Sequence, residues 1–379
     1  MRKTLCLMIC LIFLQVCGPK QNSVERFIED GVEVVLNNID PYTIKGKPKT
    51  FSLEEETVID TESDEIAKIG LTDIRSFGVD SVGSIYISRE RAGEDNYIFK
   101  FDEKGNYLLS FGRQGQGPGE FQNPPYVALN ELDEVMATAP SRRRLVLFDR
   151  NGTFLREIAF DVNIVRGSLL KNGNYLIFHQ VRGSRDSEYT TQAPLSLWNS
   201  EFNEIVELTR LKLPNFFTMK KGTDRVFKWS VSEDFVYVGD NDEEYEIKVY
   251  DFDGNEVRRI RRKYKKTSIP KEYKDEKLKD MNPEERKVTF FPDSFPPYQT
   301  FFTSDNGWIF VMTNEKGENE DEFVFDIFNL EGVFVGRKTL TRYFRKYDAF
   351  VTVKNNKFYC IHEKENGFKK LVVFRMNWK

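Results

Sequence analysis

The stretch Phe101–Phe121, FDEKGNYLLSFGRQGQGPGEF, decides the fold of this 379-residue chain. It opens with two apolar-rich segments on either side of a turn that contains Gly105. That pattern indicates a β-hairpin, because glycine tolerates the positive φ that tight turns need. The same pattern recurs four more times, at Phe148–Glu157, Trp198–Glu207, Tyr250–Arg259 and Phe328–Arg337. The chain is therefore built from a repeated unit.

A second hairpin pattern forms the other half of each unit. Each copy is a short strand, a polar turn and a strand rich in Val, Ile, Tyr or Phe, at Gly78–Ser88, Ala128–Thr138, Ser168–Phe178, Ser230–Asp240, Phe302–Met312 and Thr352–His362. Together the two patterns give four antiparallel strands, A to D, in units of about 40–50 residues, the period of a propeller blade. The sequence predicts an all-β fold, a six-bladed β-propeller of four-stranded antiparallel blades.

Two segments depart from this repeat. The sixth unit ends with the strand Lys370–Arg375 and lacks an outer strand, which would leave an unpaired sheet edge. We expect the N-terminal segment Thr50–Thr61 to supply that strand and close the ring. Between units four and five, residues 267–287 are highly charged, and Asn282 followed by Pro283 is a plausible helix start. They predict a helical insertion that packs over one face of the ring, with a flexible loop as the alternative.

The most specific motif is Phe111–Phe121, FGRQGQGPGEF, followed by Pro124 and Pro125. Pro118 and the missing Lys-Ser/Thr pair argue against a phosphate-binding loop. The motif is similar to the connection between blades in NHL-repeat propellers. From Lys49 to Trp378 the chain resembles exported bacterial six-bladed β-propeller proteins with NHL-like repeats, many of them lipoproteins of unassigned function. This resemblance implies a fold without implying an activity.

The N-terminus has the features of an export signal. A basic start is followed by an apolar run that closes at Cys17, which predicts a signal peptide over residues 1–17. Leu14–Cys17 resembles a lipobox with Val16 at a position where a smaller residue is usual, so Cys17 is the predicted lipidation site. Residues 18–49 are interpreted as a tether that contains a short helix at Ser23–Asn37, and residues 50–379 as the propeller. The protein is expected in the cell envelope as a membrane-anchored lipoprotein, or else periplasmic or secreted.

Composition limits the possible functions. The 56 Lys and Arg residues against 60 Asp and Glu residues give a net charge of −4, so no nucleic-acid partner is expected. The two histidines, His179 and His362, follow B strands in opposite units and are not expected to share a zinc ion. Cys360 is the one cysteine beyond the signal segment, so no disulfide framework is expected.

The B–C loops and the D–A loops of a propeller share one face, and their charges suggest a binding surface. Units one to three offer a group of arginines: Arg89, Arg91, Arg142, Arg143, Arg144, Arg182 and Arg185. The loops of units four to six are mainly acidic: Asp240, Asp242, Glu243, Glu244, Glu315, Glu318, Glu320, Asp321, Glu322, Glu363 and Glu365. Such a split field could orient a charged partner. Simple solvation of long polar loops is the alternative interpretation.

Two further charge features leave alternatives open. Asp240 and Asp242 are weak candidates for metal ligands; no cofactor is expected, although calcium is possible. The basic run Arg258–Lys266 could meet an anionic glycan or lipid, and it equally fits an exposed outer strand with Val257 and Ile260 buried.

These observations predict an exported, lipid-anchored, monomeric propeller that acts as a binding or scaffolding module. Its partner would be a protein or glycan on the loop face, and it would meet the membrane only through the N-terminal lipid. The alternative is a calcium-dependent hydrolase or lactonase that uses carboxylates in the central channel. The sequence does not decide whether the protein is an enzyme.

Overall fold

A computed structural model shows six blades of four antiparallel strands arranged in a ring; five are four-stranded sheets, and the sixth, blade four, belongs to a six-stranded sheet. The structure describes residues 24–46, 48–91, 96–130, 132–139, 143–182, 189–214, 220–223, 227–232, 234–240, 244–279, 281–319, 321–341 and 351–379. The predicted signal peptide and Cys17 lie outside these residues.

The elements follow one another as the repeat predicts. The first are β1 (Glu25–Glu29), β2 (Val32–Asn37), β3 (Phe51–Asp60) and α1 (Asp64–Lys68). Blade one contains β4 (Ser76–Val79), β5 (Ile85–Ser88), β6 (Asn96–Phe101) and β7 (Tyr107–Arg113); blade two contains β8 (Tyr126–Leu129), β9 (Val135–Ala139), β10 (Arg144–Phe148) and β11 (Phe154–Ala159). Blade three contains β12 (Asn163–Leu169), β13 (Tyr175–Arg182), β14 (Tyr189–Trp198) and β15 (Glu204–Pro214), and is followed by β16 (Lys220–Lys221).

The second half of the chain completes the ring. Blade four contains β17 (Phe227–Val231), β18 (Val236–Asp240), β19 (Glu246–Tyr250) and β20 (Glu256–Arg262), and is followed by α2 (Lys271–Lys279), α3 (Pro283–Val288) and β21 (Thr289–Phe290). Blade five contains β22 (Thr300–Thr303), β23 (Ile309–Lys316), β24 (Glu322–Phe328) and β25 (Phe334–Thr341); blade six begins with β26 (Val351–Lys354), β27 (Lys357–Glu363) and β28 (Lys369–Trp378).

The core is divided among the contacts between neighbouring blades. Among the described residues the buried apolar side chains form six clusters, one between each pair of adjacent sheets. Successive side chains of a strand point to opposite faces of its sheet, so each inner strand contributes to two clusters. In β22, Phe301 packs toward blade four and Phe302 toward blade six. This arrangement closes the ring.

The predicted closure by an N-terminal strand is confirmed. Strand β3 pairs antiparallel with β28 as the outermost strand of blade six, from Phe51 opposite Trp378 to Asp60 opposite Lys370. The backbone N–H of Lys49 also donates to the carbonyl oxygen of Lys379 at 2.9 Å. The first strand of the ring therefore hydrogen-bonds to the last.

The segment interpreted as a tether with a short helix is a β-hairpin instead. Strands β1 and β2 pair around Asp30 and Gly31, whose φ angles of 52° and 82° fit a two-residue hairpin turn. Strand β2 then joins β20 in parallel and extends blade four to six strands. Val34 and Val35 are both fully buried, because successive side chains of the strand point to opposite faces of the sheet and both faces are covered here.

The basic run of the sequence is the surface that this hairpin covers. Residues 256–262 form β20, the D strand of blade four, as the simpler interpretation predicts, and Ile260 is buried. Val257, also predicted to be buried, is exposed, because residues three apart in a strand point to opposite faces of the sheet. The Arg258 Nε lies 2.8 Å from a carboxylate oxygen of Glu33, and Arg261 approaches Glu29 at 2.6 Å. These arginines are neutralised within the molecule, which removes the reason to assign them an anionic partner.

The inter-blade motif serves the core, as the sequence predicts. Phe121 is fully buried between blades one and two and exchanges backbone hydrogen bonds with Arg113 and Gly115. Gly112 has a φ of 70°, and a Cβ there would lie 3.1 Å from the Phe121 ring. Glycine therefore meets both a steric and a conformational requirement at this position.

The predicted insertion is helical, in two pieces. Asn282 caps α3 in a capping box with Glu285. No residue of α2 or α3 is buried. Among the described residues, no helix is both long and apolar enough to cross a membrane.

Candidate functional site

The two faces of the ring are built differently. The A–B and C–D connections lie on one face, which we call the turn face. Between the described strands, none of these connections is longer than five residues. Most close on themselves: in blade one the Asp102 carboxylate accepts the backbone N–H groups of Lys104 and Asn106 at 2.9 and 2.8 Å. These turns satisfy their own polar groups and leave little for a ligand.

The opposite face, the loop face, carries the long D–A connections and the B–C loops. The connection from Lys263 to Gln299 contains α2, α3 and β21. The two ends of this connection come together where Ser268 and Ser294 form an isolated antiparallel β-bridge. Strand β21 pairs in parallel with β16, which belongs to the preceding D–A connection. The two insertions thus form one platform on the loop face between blades three and five.

The central channel opens at the middle of this face, and its walls are basic. The six innermost strands, β4, β8, β12, β17, β22 and β26, contain Arg166, Lys228 and Lys354 and no Asp or Glu. Lys354 is near the turn face, where its Nζ donates to the Val79 carbonyl oxygen at 3.1 Å. The channel expected to hold carboxylates in the hydrolase alternative therefore has cationic walls.

Arg166 stands beside an aromatic group at the channel mouth. Its guanidinium carbon lies 5.4 Å from the ring centroid of Trp229, on the inner strand of the next blade. Trp229 packs with Phe178 and Phe227, whose rings stack at 5.5 Å. The Arg166 side chain is exposed, yet desolvation lowers its pKa. Both observations fit a guanidinium inside the channel, where protein atoms surround it while its surface stays open to solvent.

Arg75, just before the inner strand of blade one, repeats this arrangement. Its guanidinium carbon lies 4.1 Å from the ring centroid of Tyr126, at the start of β8. The Arg75 Nε is buried and has no hydrogen-bond partner among the described residues. The neighbouring carboxylate of Glu90 is held by the Nζ of Lys369 at 2.5 Å. Tyr126 begins the inner strand of blade two, and blade two stands between the blades that carry Arg75 and Arg166.

Two of the arginines predicted for an exposed binding surface are buried, which corrects that assignment. Arg89 is 6% exposed, and its guanidinium lies over the Tyr97 ring at 5.0 Å. Arg144 bonds Glu157 at 2.5 Å and the carbonyl oxygen of Glu120. Because these guanidiniums cover aromatic rings of the core, they stabilise the fold and are not available to a partner.

The other predicted arginines fall into two groups. Arg91 is exposed, and Arg143 is exposed with one guanidinium nitrogen 3.2 Å from the Asp161 carbonyl oxygen. The rest cannot be placed as side chains: Arg142 and Arg185 lie outside the described residues, and Arg182 ends β13 with its side chain undescribed. The structure therefore leaves Arg91 and Arg143 as surface arginines of this set.

One acidic side chain predicted for the loop face, Glu315, is neutralised within the molecule, whereas Glu318, Asp321 and Glu365 are exposed. Glu315 forms a two-point ion pair with Arg337 at 2.8 and 2.9 Å, which lowers the Glu315 pKa. Arg337 also contacts the fully buried Asp326, which Arg262 approaches at 2.8 Å. Burial raises the Asp326 pKa despite these two cations. The network joins blades four and five, and its polar groups are committed to one another.

The metal candidates gain no support from the geometry. Asp240 ends β18 and interacts within the protein, while Asp242 lies outside the described residues. Among the described residues, no group of three or more His, Cys, Asp or Glu side chains could hold a metal ion. His179 is in β13 and His362 in β27, on separate blades as predicted.

Comparison with known proteins identifies the family. Residues 78–283 match the model of DUF5128, described as a 6-bladed beta-propeller. The chain belongs to this family. Human NHL repeat-containing protein 3 is 25% identical over 158 residues, which cover 39% of this chain and 44% of that protein. The chain thus spans less than half the length of this relative.

Two solved structures of low sequence identity share the fold. A duf4221 family member from Bacteroides vulgatus is 12% identical, with a TM-score of 0.53 over 88% of this chain and 99% of that one. A Bacteroides fragilis protein named as an exported protein is 10% identical, with a TM-score of 0.50 over 91% of this chain and 99% of that one. Such similarity shows the fold alone, and together with the family match and the human relative it supports a six-bladed propeller with NHL-like repeats.

Proposed function

We propose that this propeller is exported, anchored by a lipid on Cys17, and acts as a binding module for a protein or glycan on its loop face. Export is supported by the apolar N-terminal run and by the name of the Bacteroides fragilis protein of similar fold. The binding role is supported by the unequal construction of the two faces.

One observation carries the binding role. The tight turns of the turn face add nothing beyond what connects the strands, whereas the loop face bears α2 and α3, which bury no side chain. Such helices contribute little to the core, because packing of an apolar face supplies most helical stability in proteins, and the half-buried Tyr273 of α2 packs on Phe295 of the same connection. The presence of α2 and α3 outside the core is best explained by contacts with another molecule.

Site-specific photo-cross-linking tests the loop face. A photoreactive amino acid replaces Lys271 at the start of α2 or, as the matched control, Lys104 in an exposed turn of the turn face. After irradiation of the producing cells, we expect defined adducts from position 271 and few from position 104. Equal adducts from both positions, or none from either, would overturn the loop face as the binding surface.

The anchor has a separate test. Cys17→Ser removes the acceptor thiol, so the variant should leave the membrane fraction for the soluble exported fraction. Unchanged membrane retention would overturn lipidation at Cys17. The control is Cys360→Ser, which alters a buried cysteine in blade six and should leave fractionation unchanged.

We propose no resident metal. A specific calcium site stabilises a fold by mass action, so the melting temperature should be the same with millimolar calcium and with chelator. A clear upward shift with calcium would instead favour the hydrolase or lactonase alternative.

A further inference from the structure

We propose that the mouth of the central channel binds the carboxylate of an acidic sugar, held by Arg166 and Arg75 and packed against the aromatic residues beside them. This inference rests on the proposed binding function, because it assigns a ligand class to the loop face. It names a site that is distinct from the platform of α2 and α3.

The positive charge of the channel walls predicts the charge of the ligand. The inner strands contribute Arg166 and Lys228 toward the loop face and no carboxylate anywhere along their length. A cleft lined by one sign of charge between low-dielectric walls focuses its field and concentrates counter-ions. The ligand is therefore an anion.

The state of the two arginines shows that they can accept it. Arg144, Arg258, Arg261, Arg262 and Arg337 all have carboxylate partners. Arg166 and Arg75 form no ion pair within the described residues, and aromatic rings hold each guanidinium in position. A guanidinium preorganised in this way can present its two-point fork to a carboxylate at low entropic cost.

The aromatic residues indicate the body of the ligand. Tyr126 lies against Arg75 and is only partly buried. Trp229, 9% exposed, lies against Arg166, and the partly buried Phe178 and Phe227 pack on Trp229. The C–H face of a pyranose ring packs well on such rings, while its carboxylate reaches the guanidinium. A uronic acid combines both features. It could arrive as a free monosaccharide or as the end of an acidic polysaccharide.

The binding experiment uses the whole exported chain, with calorimetric titration of D-galacturonate, D-galactose and a galacturonate trimer. We expect galacturonate to bind and neutral galactose to give no heat. Arg166→Gln and Arg75→Gln should each weaken galacturonate binding about tenfold or more, the usual effect of losing a charged hydrogen bond. Tighter binding of the trimer than of the monomer would identify a polysaccharide end, and equal binding a free sugar acid.

Controls separate the site from its surroundings. Lys104→Gln removes one positive charge from an exposed turn of the turn face and should bind galacturonate like the parent. Arg166→Lys keeps the charge without the fork and should give intermediate affinity. Melting temperatures equal to the parent establish that the variants are folded.

Several results would overturn the proposal. They are no response to galacturonate, an equal response to galactose, an equal loss in Lys104→Gln, or binding of inorganic phosphate without galacturonate. Cross-links at position 271 without uronate binding would remove the channel site and leave the binding module. Uronate binding without cross-links at position 271 would keep the channel site and remove the platform as a binding surface. The two failures are therefore distinguishable.

Discussion

Arginine residues that are neighbours in the sequence have different roles in this protein. Arg143 has a φ of 50° and an exposed side chain, whereas Arg144 is buried against Phe121, Glu157 and the Glu120 carbonyl. Both belong to a run of three arginines that composition alone cannot separate. All five residues of β10 are buried, and Arg144 opens this strand whereas Arg143 precedes it.

Arg144→Met should therefore destabilise the protein, while Arg143→Met should not. Removing the Arg144 guanidinium leaves Glu157 and a backbone carbonyl without their partner, a loss of about 2 kcal/mol in the free energy of unfolding. A surface change such as Arg143→Met should stay within about 0.5 kcal/mol. Urea denaturation of both variants measures the difference. Equal values would mean that Arg144 is not part of the core.

His179 makes stability depend on pH. It is 4% exposed, lies edge-on to Trp198 with ring centroids 5.8 Å apart, and burial lowers its pKa. The unfolded chain takes up a proton near pH 6.5 and the folded chain does so only at lower pH, so stability falls as the pH drops below about 6.5. His362, whose pKa is also lowered, acts in the same direction.

His179→Phe should reduce that pH dependence, since phenylalanine keeps the aromatic contact and cannot be protonated. Melting temperatures of parent and variant between pH 5 and 7.5 provide the measurement. The parent should lose more stability than the variant toward pH 5, and the remaining slope should diminish further when His362→Asn is added. Parallel curves for parent and His179→Phe would show that His179 is not desolvated.

At the scale of elements, the sequence predicts the blades well and the N-terminal hairpin poorly. The turns with the pattern Asx-x-x-Gly can be predicted from sequence, because the residues that form them are adjacent in the chain. In blade one the Asp102 carboxylate accepts backbone N–H groups of the turn, and Gly105 adopts the positive φ that the turn needs. The hairpin carries a comparable signal, since Asp30 and Gly31 stand between two apolar-rich segments. Its partner strand β20 is more than two hundred residues away, and no local pattern specifies that pairing.

Charge holds the hairpin to blade four, so neutralising it should release the hairpin selectively. In the double variant Glu29→Gln with Glu33→Gln, Arg258, Arg259 and Arg261 lose their partners on β1 and β2. Hydrogen exchange of the β2 and β20 amides should accelerate severalfold, because local opening costs less free energy. Blade one amides should be unaffected, as should all amides in the control Glu201→Gln, which changes an exposed turn. Uniform acceleration through the ring would contradict a local role.

At the scale of the whole molecule, architecture and candidate site differ in how far the sequence predicts them. Closure follows from counting strands, since five complete blades and one of three strands require one more. The channel mouth cannot be predicted this way, because Arg75, Tyr126, Arg166 and Trp229 come from four different blades and meet only when the ring closes. These four residues share one feature, a position in or just before the inner strand of a blade, and this feature can be recognised only when the strand order is known.

Closure by β3 and β28 also predicts how the ring gains stability. Ser52 and Asn377 lie directly opposite each other in that pair, at a separation that cross-strand neighbours can bridge with a disulfide. Ser52→Cys with Asn377→Cys should form the bond, since Cys360 is buried and does not compete. The oxidised variant should melt several degrees above its reduced form, because the cross-link restricts the unfolded chain across nearly the whole ring. The single variant Ser52→Cys should be insensitive to reductant. If oxidised and reduced forms melt together, opening at this seam does not limit the stability of the propeller.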